Sequence, residues 1–124
     1  MKNHFVISIV DDDSVVREAI ADLVQSMGFE AVTFKSGEDF LASGLAADTA
    51  CVITDLQMPG LNGFDLQECL LSEGYATPVI FITAFPNPRA RERASKLGAI
   101  AFLSKPFQEA ALTHAIRTVV VRAE

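Results

Sequence analysis

Residues 50–63 read Ala50-Cys51-Val52-Ile53-Thr54-Asp55-Leu56-Gln57-Met58-Pro59-Gly60-Leu61-Asn62-Gly63, and this stretch decides the fold. The run from Ala50 to Thr54 has the length and apolar, β-branched character of a strand. It ends on Asp55, and Asn62 can then cap a helix that carries Leu66 and Leu70 and stops near Gly74. Strand, carboxylate and helix in that order form one unit of an alternating chain.

The same unit recurs on both sides. Strand-length apolar runs fall at Phe5 to Val10, Ala31 to Phe34, Val79 to Thr83 and Ala99 to Leu103. Four of the five runs are nearly continuous in apolar character, which suits strands covered on both faces of a parallel sheet. Val16, Ile20, Leu23, Val24 and Met27 recur at intervals of three and four, and Gly28 follows as a left-handed residue that ends the helix. Ser36 with Asp39 reads as a variant capping box, and Asn87-Pro88 opens a helix that runs to Leu97 and stops at Gly98. Leu112, Ile116, Val119 and Val120 share a face of a last helix. Strands alternating with helices argue a doubly wound α/β domain with right-handed crossovers.

Composition sets the outer bounds. The chain has 124 residues, half of them hydrophobic, enough for a core without staples. No repeat or linker divides it, so residues 1–124 are read as a single domain. A formal charge of −6 makes phosphate-backbone binding by this segment unfavourable, so it is not expected to bind nucleic acid. Met1-Lys2-Asn3-His4 passes straight into an apolar run too short for a secretory segment and far short of the ~20 residues needed to cross a bilayer. No membrane role is expected, and the cytoplasm is the natural compartment. Cys51 and Cys69 have no metal-ligand spacing and read as small buried hydrophobes.

Ligand sites in open α/β sheets form beyond the carboxyl ends of the strands. There the sequence places Asp11-Asp12-Asp13 after the first run, Asp55 after the third, Thr83 at the end of the fourth, and Ser104-Lys105-Pro106 after the fifth. Gathered on one edge, the carboxylates repel unless a cation neutralises them, and hard oxygen donors favour Mg²⁺. Lys105 suits a phosphoryl oxygen, and the Thr83 hydroxyl can bond another. Each residue alone also fits a solvated strand end or, for Asp13 and Ser14, a helix cap. Four complementary positions at four strand ends favour the functional reading.

At these residues the chain resembles the receiver family of two-component response regulators over essentially its full length. The matching residues are Asp11 and Asp12 after Val10, the stretch Asp55 to Gly63, Thr83-Ala84, Gly98-Ala99, and Phe102 through Lys105-Pro106-Phe107. The resemblance implies a flavodoxin-like five-stranded parallel sheet of order 2-1-3-4-5. It implies Asp55 as the phosphoacceptor, and Mg²⁺ held directly by Asp12 and Asp55, through water by Asp11, and by the backbone carbonyl of Gln57. It further implies that Lys105 pairs with Asp55 and later with its phosphate, that Thr83 moves to the phosphoryl group, and that the peptide before Pro106 is cis. Phe102 would be the switch aromatic, its alternative being a plain core aromatic.

The partners implied are a histidine kinase or phosphotransfer protein and, on phosphorylation, a second copy in a homodimer. The face of the fourth helix, fifth strand and fifth helix would be the one that switches. The domain is then a signalling module that catalyses only its own phosphorylation and dephosphorylation, either stand-alone or the N-terminal part of a longer regulator. Asp55 to Gly63 and the Lys105-Pro106-Phe107 ending are similar to the nitrogen-fixation and nodulation regulators, the FixJ-like group. The loop Phe85-Pro86-Asn87-Pro88 departs from the small polar residues many members carry, and its two prolines limit how it can rearrange.

Three other readings are weighed against this one. A haloacid-dehalogenase-like phosphatase would take its nucleophile from Asp11 with a second acid at Asp13, but the chain has no cap domain and Asp55 would be unexplained. A phosphorylation-independent interaction module would not need the full acidic and lysine set. A flavin protein would need a Ser-, Thr- or Gly-rich phosphate loop where Asp11 to Asp13 stand.

Overall fold

The computed structural model describes residues 5–123; Met1 to His4 and Glu124, which enter the readings of the chain ends, lie outside the described residues. Five strands, β1 (Val6–Val10), β2 (Glu30–Phe34), β3 (Thr49–Asp55), β4 (Val79–Thr83) and β5 (Ala101–Ser104), alternate with five helices. The helices are α1 (Ser14–Ser26), α2 (Gly37–Ala42), α3 (Gly63–Ser72), α4 (Pro88–Lys96) and α5 (Glu109–Ala123). All strand pairs are parallel and the order is β2-β1-β3-β4-β5, the doubly wound, flavodoxin-like arrangement expected.

The strand period of two divides the core. Ile7, Ile9, Cys51, Ile53, Ile80 and Ile82 face one side, where they meet Ile20 and Val24 of α1 and Leu112 and Ile116 of α5. Val10, Val52, Val79 and Phe81 face the other, against Phe40, Phe64, Leu66, Leu70 and Ala94 of α2, α3 and α4. A fully buried Ile or Leu contributes on the order of 2 kcal/mol by transfer from water, an upper estimate, and both layers hold the sheet. Cys51 lies within the first layer, where burial pushes its thiol up to about 12. Cys69 is only half-buried, so the buried reading holds for one cysteine of the two.

Local chemistry sets the helix ends. The Asp13 carboxylate caps α1, accepting from the Val15 and Val16 amides at 2.9 and 3.4 Å, and Gly28 beyond its far end has φ 89°. The reciprocal capping box closes at Asn62 and Asp65, with Asp65 N–H donating to Asn62 at 2.8 Å and Asn62 N–H donating to Asp65 at 3.2 Å. At Ser36 the serine half of the box forms, accepting from Asp39 N–H at 3.0 Å. Asn87 caps α4 through the Ala90 amide at 2.9 Å, with Pro88 at the first position.

Four strands differ from expectation at their ends: β1 begins at Val6 rather than Phe5, β2 at Glu30 rather than Ala31, and β3 and β5 are also shifted. β5 begins at Ala101 rather than Ala99, because the Gly98 and Ala99 amides still close α4 through the Ser95 and Ala94 carbonyls, both at 3.0 Å. β3 includes Asp55, which pairs with Ile82, so this carboxylate is carried by the strand itself. Coverage on both faces holds for β1, β3 and β4; β5, though apolar, is an edge strand and only half-buried.

Candidate functional site

Asp11, one residue past β1, is held by its amide on the Phe34 carbonyl at 3.1 Å and is 1% exposed. Asp55 ends β3 and is 6% exposed, while Asp12 faces solvent. Carboxylate oxygens of these three residues lie within 4.8 Å of one another. Lys105 follows β5, its amide donating to the Thr83 carbonyl at 2.8 Å, and its Nζ reaches Asp11 Oδ2 at 3.0 Å and Asp55 Oδ2 at 3.3 Å. Asp11 Oδ1 accepts from Asp13 N–H at 2.8 Å, and Asp55 Oδ1 from Gln57 N–H at 3.3 Å. Asp11 Oδ2 is buried and has the Lys105 ion pair but no hydrogen bond of ordinary geometry.

The charges are strongly coupled. Burial, and then the neighbouring Asp11 charge, push the Asp55 carboxyl above the usual 3.8, with Lys105 and the Gln57 amide opposing. Burial works to lower the Lys105 ammonium, but its bonds and charge interactions with Asp11 and Asp55 outweigh that and hold it above 10.5. Three carboxylates meeting one ammonium leave a net negative pocket of hard oxygen donors. One of those oxygens lacks a hydrogen bond, and the set fits a Mg²⁺-like cation.

Thr83, fully buried at the end of β4, pairs with Ser104 in register, and Phe81 pairs with Phe102. Matched residues of parallel strands share a face, so Thr83 and Phe102 both point to the layer of α3 and α4. Thr83 Oγ1 accepts from Phe85 N–H at 3.0 Å. Phe102 is half-buried beneath the Arg91 guanidinium, which sits 4.9 Å from the ring centroid. The Lys105–Pro106 peptide is cis. Gln57 lies just past Asp55 with its side chain exposed.

Several residues around the site escaped sequence reasoning. Arg17 Nη1 donates to the Asp11 carbonyl at 2.7 Å; the signal was a cation near the α1 N-terminus, an end that favours anions. Glu38 Oε2 accepts from Leu61 N–H at 3.1 Å and braces the loop after Asp55 from α2. Gly63 lets α3 start against the strand end: a Cβ there would meet the Asp55 carbonyl at 2.8 Å and Leu56 Cα at 3.1 Å. Arg93 ties α4 to α3 through Glu68 at 2.8 Å and stacks 4.5 Å from the Phe64 ring centroid.

Comparison with known proteins gives a family. The model of the response regulator receiver domain matches residues 7–117. Transcriptional regulatory protein FixJ of Azorhizobium caulinodans is 36% identical over 123 residues, covering 99% of this chain and 58% of the relative. Response regulator protein TmoT of Ectopseudomonas mendocina is 41% identical over 115 residues, covering 93% and 52%. The crystal structure of a response regulator receiver protein from Burkholderia phymatum superposes with TM-score 0.78 at 41% identity, covering 93% of this chain and 94% of that one. The chain thus spans about half the length of the curated relatives it matches. Among the described residues no helix is long and apolar enough to cross a membrane. Since the family match runs from within β1 to within α5, over strands in the order such a domain requires, the chain belongs to the response regulator receiver domain family of two-component signalling.

Proposed function

We propose that this domain accepts a phosphoryl group on Asp55 from the phosphohistidine of a histidine kinase or phosphotransfer protein, and that the new charge switches the face made by α4, β5 and α5. The observation that carries this is the approach of Lys105 Nζ to both Asp11 and Asp55, within a cluster that also holds Asp12. Mg²⁺, held by Asp12 and Asp55 directly, by Asp11 through water and by the Gln57 carbonyl, would neutralise the phosphoryl oxygens.

An Asp55 oxygen attacks phosphorus in line, the phosphorus–nitrogen bond of the donor breaks, and the imidazole leaves with a proton. Lys105 then exchanges its pairing with the Asp55 carboxylate for one with the acyl phosphate. Thr83 Oγ1 leaves the Phe85 amide for a phosphoryl oxygen, and Phe102, on the same face, turns into the space vacated. The setting is the cytoplasm. Because the FixJ and TdiR relatives are named transcriptional regulatory proteins, the output proposed is control of transcription by a segment outside this domain.

The phosphatase reading loses ground at Asp13. Its carboxylate is engaged in capping α1, so it is not poised as a second acid beside Asp11. Treatment with acetyl phosphate, followed by intact mass and peptide mapping, tests the proposal. One phosphoryl group should appear on Asp55, only with Mg²⁺ and not in Asp55→Asn. Label on Asp11, Asp12 or Asp13, or turnover of p-nitrophenyl phosphate, would transfer support to the phosphatase.

A further inference from the structure

Asp11 is held at each of its polar atoms, and each hold comes from a different stretch of chain. Its amide donates to the Phe34 carbonyl of β2 at 3.1 Å, its Oδ1 accepts from the Asp13 amide at 2.8 Å, and its Oδ2 pairs with Lys105 at 3.0 Å. The remaining atom is the main-chain carbonyl, which accepts from Arg17 Nη1 at 2.7 Å. Arg17 is partly buried in the first turn of α1, where the backbone dipole disfavours a cation, and among the described residues it makes no ion pair with the three carboxylates. Asp12 is placed quite differently. It is exposed, and no hydrogen bond or ion pair among the described residues holds its carboxylate, yet an oxygen of that group lies within 4.8 Å of those of Asp11 and Asp55.

The Asp11 carbonyl and the Asp12 amide belong to one planar peptide. Holding that carbonyl fixes the plane, and with it the direction in which the Asp12 side chain leaves the backbone. We infer that Arg17 is a positioning residue for the cation site: by anchoring the Asp11 carbonyl it aims the otherwise unheld Asp12 carboxylate at the cluster. The inference rests on the proposed Mg²⁺ site and adds to it a side chain that is not a ligand. A nearby cation acting by charge alone would repel a divalent ion, so removing it would tighten binding. Removing an anchor has the opposite sign.

The test is calorimetric titration of the whole domain with Mg²⁺ and, separately, Ca²⁺, in wild type, Arg17→Met, Arg17→Lys and Asp12→Ala. Arg17→Met should weaken Mg²⁺ about tenfold, the usual effect of releasing the support of a ligand. Ca²⁺ should weaken less, since it tolerates irregular geometry where Mg²⁺ demands a near-ideal octahedron, and the preference between the ions should shift several-fold toward Ca²⁺. Arg17→Lys, which keeps a charged donor, should fall between wild type and Arg17→Met. Circular dichroism establishes that each variant is folded; should Arg17→Met not fold, the shift in ion preference of Arg17→Lys carries the test. Tighter or unchanged Mg²⁺ binding in Arg17→Met, or equal losses for the two ions, overturns the positioning role. If Asp12→Ala weakens Mg²⁺ while Arg17→Met does not, the metal site stands and this inference alone falls. If Asp12→Ala also leaves Mg²⁺ binding unchanged, the metal assignment has failed and the inference falls with it.

Discussion

Lys105 lies closer to Asp11 than to Asp55, 3.0 Å against 3.3 Å, so its charge bridges two buried carboxylates. Asp11 is the more buried of the two and has Lys105 as its ion-pair partner. Lys105→Met should therefore destabilise the metal-free domain by about 2 kcal/mol, below the usual cost of breaking a buried pair because the lysine is partly exposed. Urea unfolding with and without Mg²⁺ checks it, and the cation should recover part of the loss. An unchanged midpoint without Mg²⁺ would show that the pair is electrostatically idle.

Asp55 works against the fold that carries it. Burial and Asp11 hold its folded pKa above the ordinary carboxylate value. Its contribution to stability is then fully present below the unfolded pKa and is lost as pH rises through the folded one. At neutral pH the metal-free Asp55→Asn variant should melt above wild type, because it no longer places a charge in that buried site. The gap should close in acid, below the unfolded pKa. Melting curves across that window decide, and a variant that melts lower at neutral pH refutes the electrostatic account.

Asp12 is exposed, so its loss should cost the fold little. Asp12→Ala should nevertheless lower Mg²⁺ affinity about tenfold or more, since it removes a charged oxygen donor from the cluster. Calorimetric titration is the measurement, there being no Trp to report. Equal affinities would remove Asp12 from the metal site.

Gly63→Ala should destabilise by about 1 to 3 kcal/mol, because the added methyl meets backbone atoms at Asp55 and Leu56 that cannot rotate away. The same displacement reaches the phosphoacceptor, so labelling of Asp55 should slow. Denaturant unfolding together with acetyl phosphate labelling tests both effects. A variant as stable and as fast as wild type would show that α3 does not set the position of Asp55.

Thr83→Val keeps the buried volume but removes the hydroxyl that accepts the Phe85 amide. It should still bind beryllofluoride at Asp55, yet lose the change in amide-exchange protection that the mimic should produce in residues 84–107 of wild type. If wild type itself shows no change there with the mimic bound, the switch is wrong while the site stands.

Sequence alone determined the fold and the edge on which chemistry would gather. The alternation of apolar runs with three-and-four spacing, and polar residues just past each run, are local signals, and a parallel sheet has only one way to align its strand ends. Local capping chemistry was equally legible at Asn62, Asn87 and Gly28, although which box would close reciprocally was not. Tertiary structure alone decided that Lys105, expected beside Asp55, also bridges to Asp11, and that Arg17 backs Asp11; for Asp13, where the sequence left a cap and a cluster role open, the α1 cap is the one that forms. It also made β5 a half-buried edge despite its apolar run, and stacked Arg91 on Phe102. The lysine bridge and the arginine stack depend on side chains from different elements meeting in space. An apolar pattern says that a residue is covered without saying by what, and a charge in the chain does not name the partner that folding will bring to it.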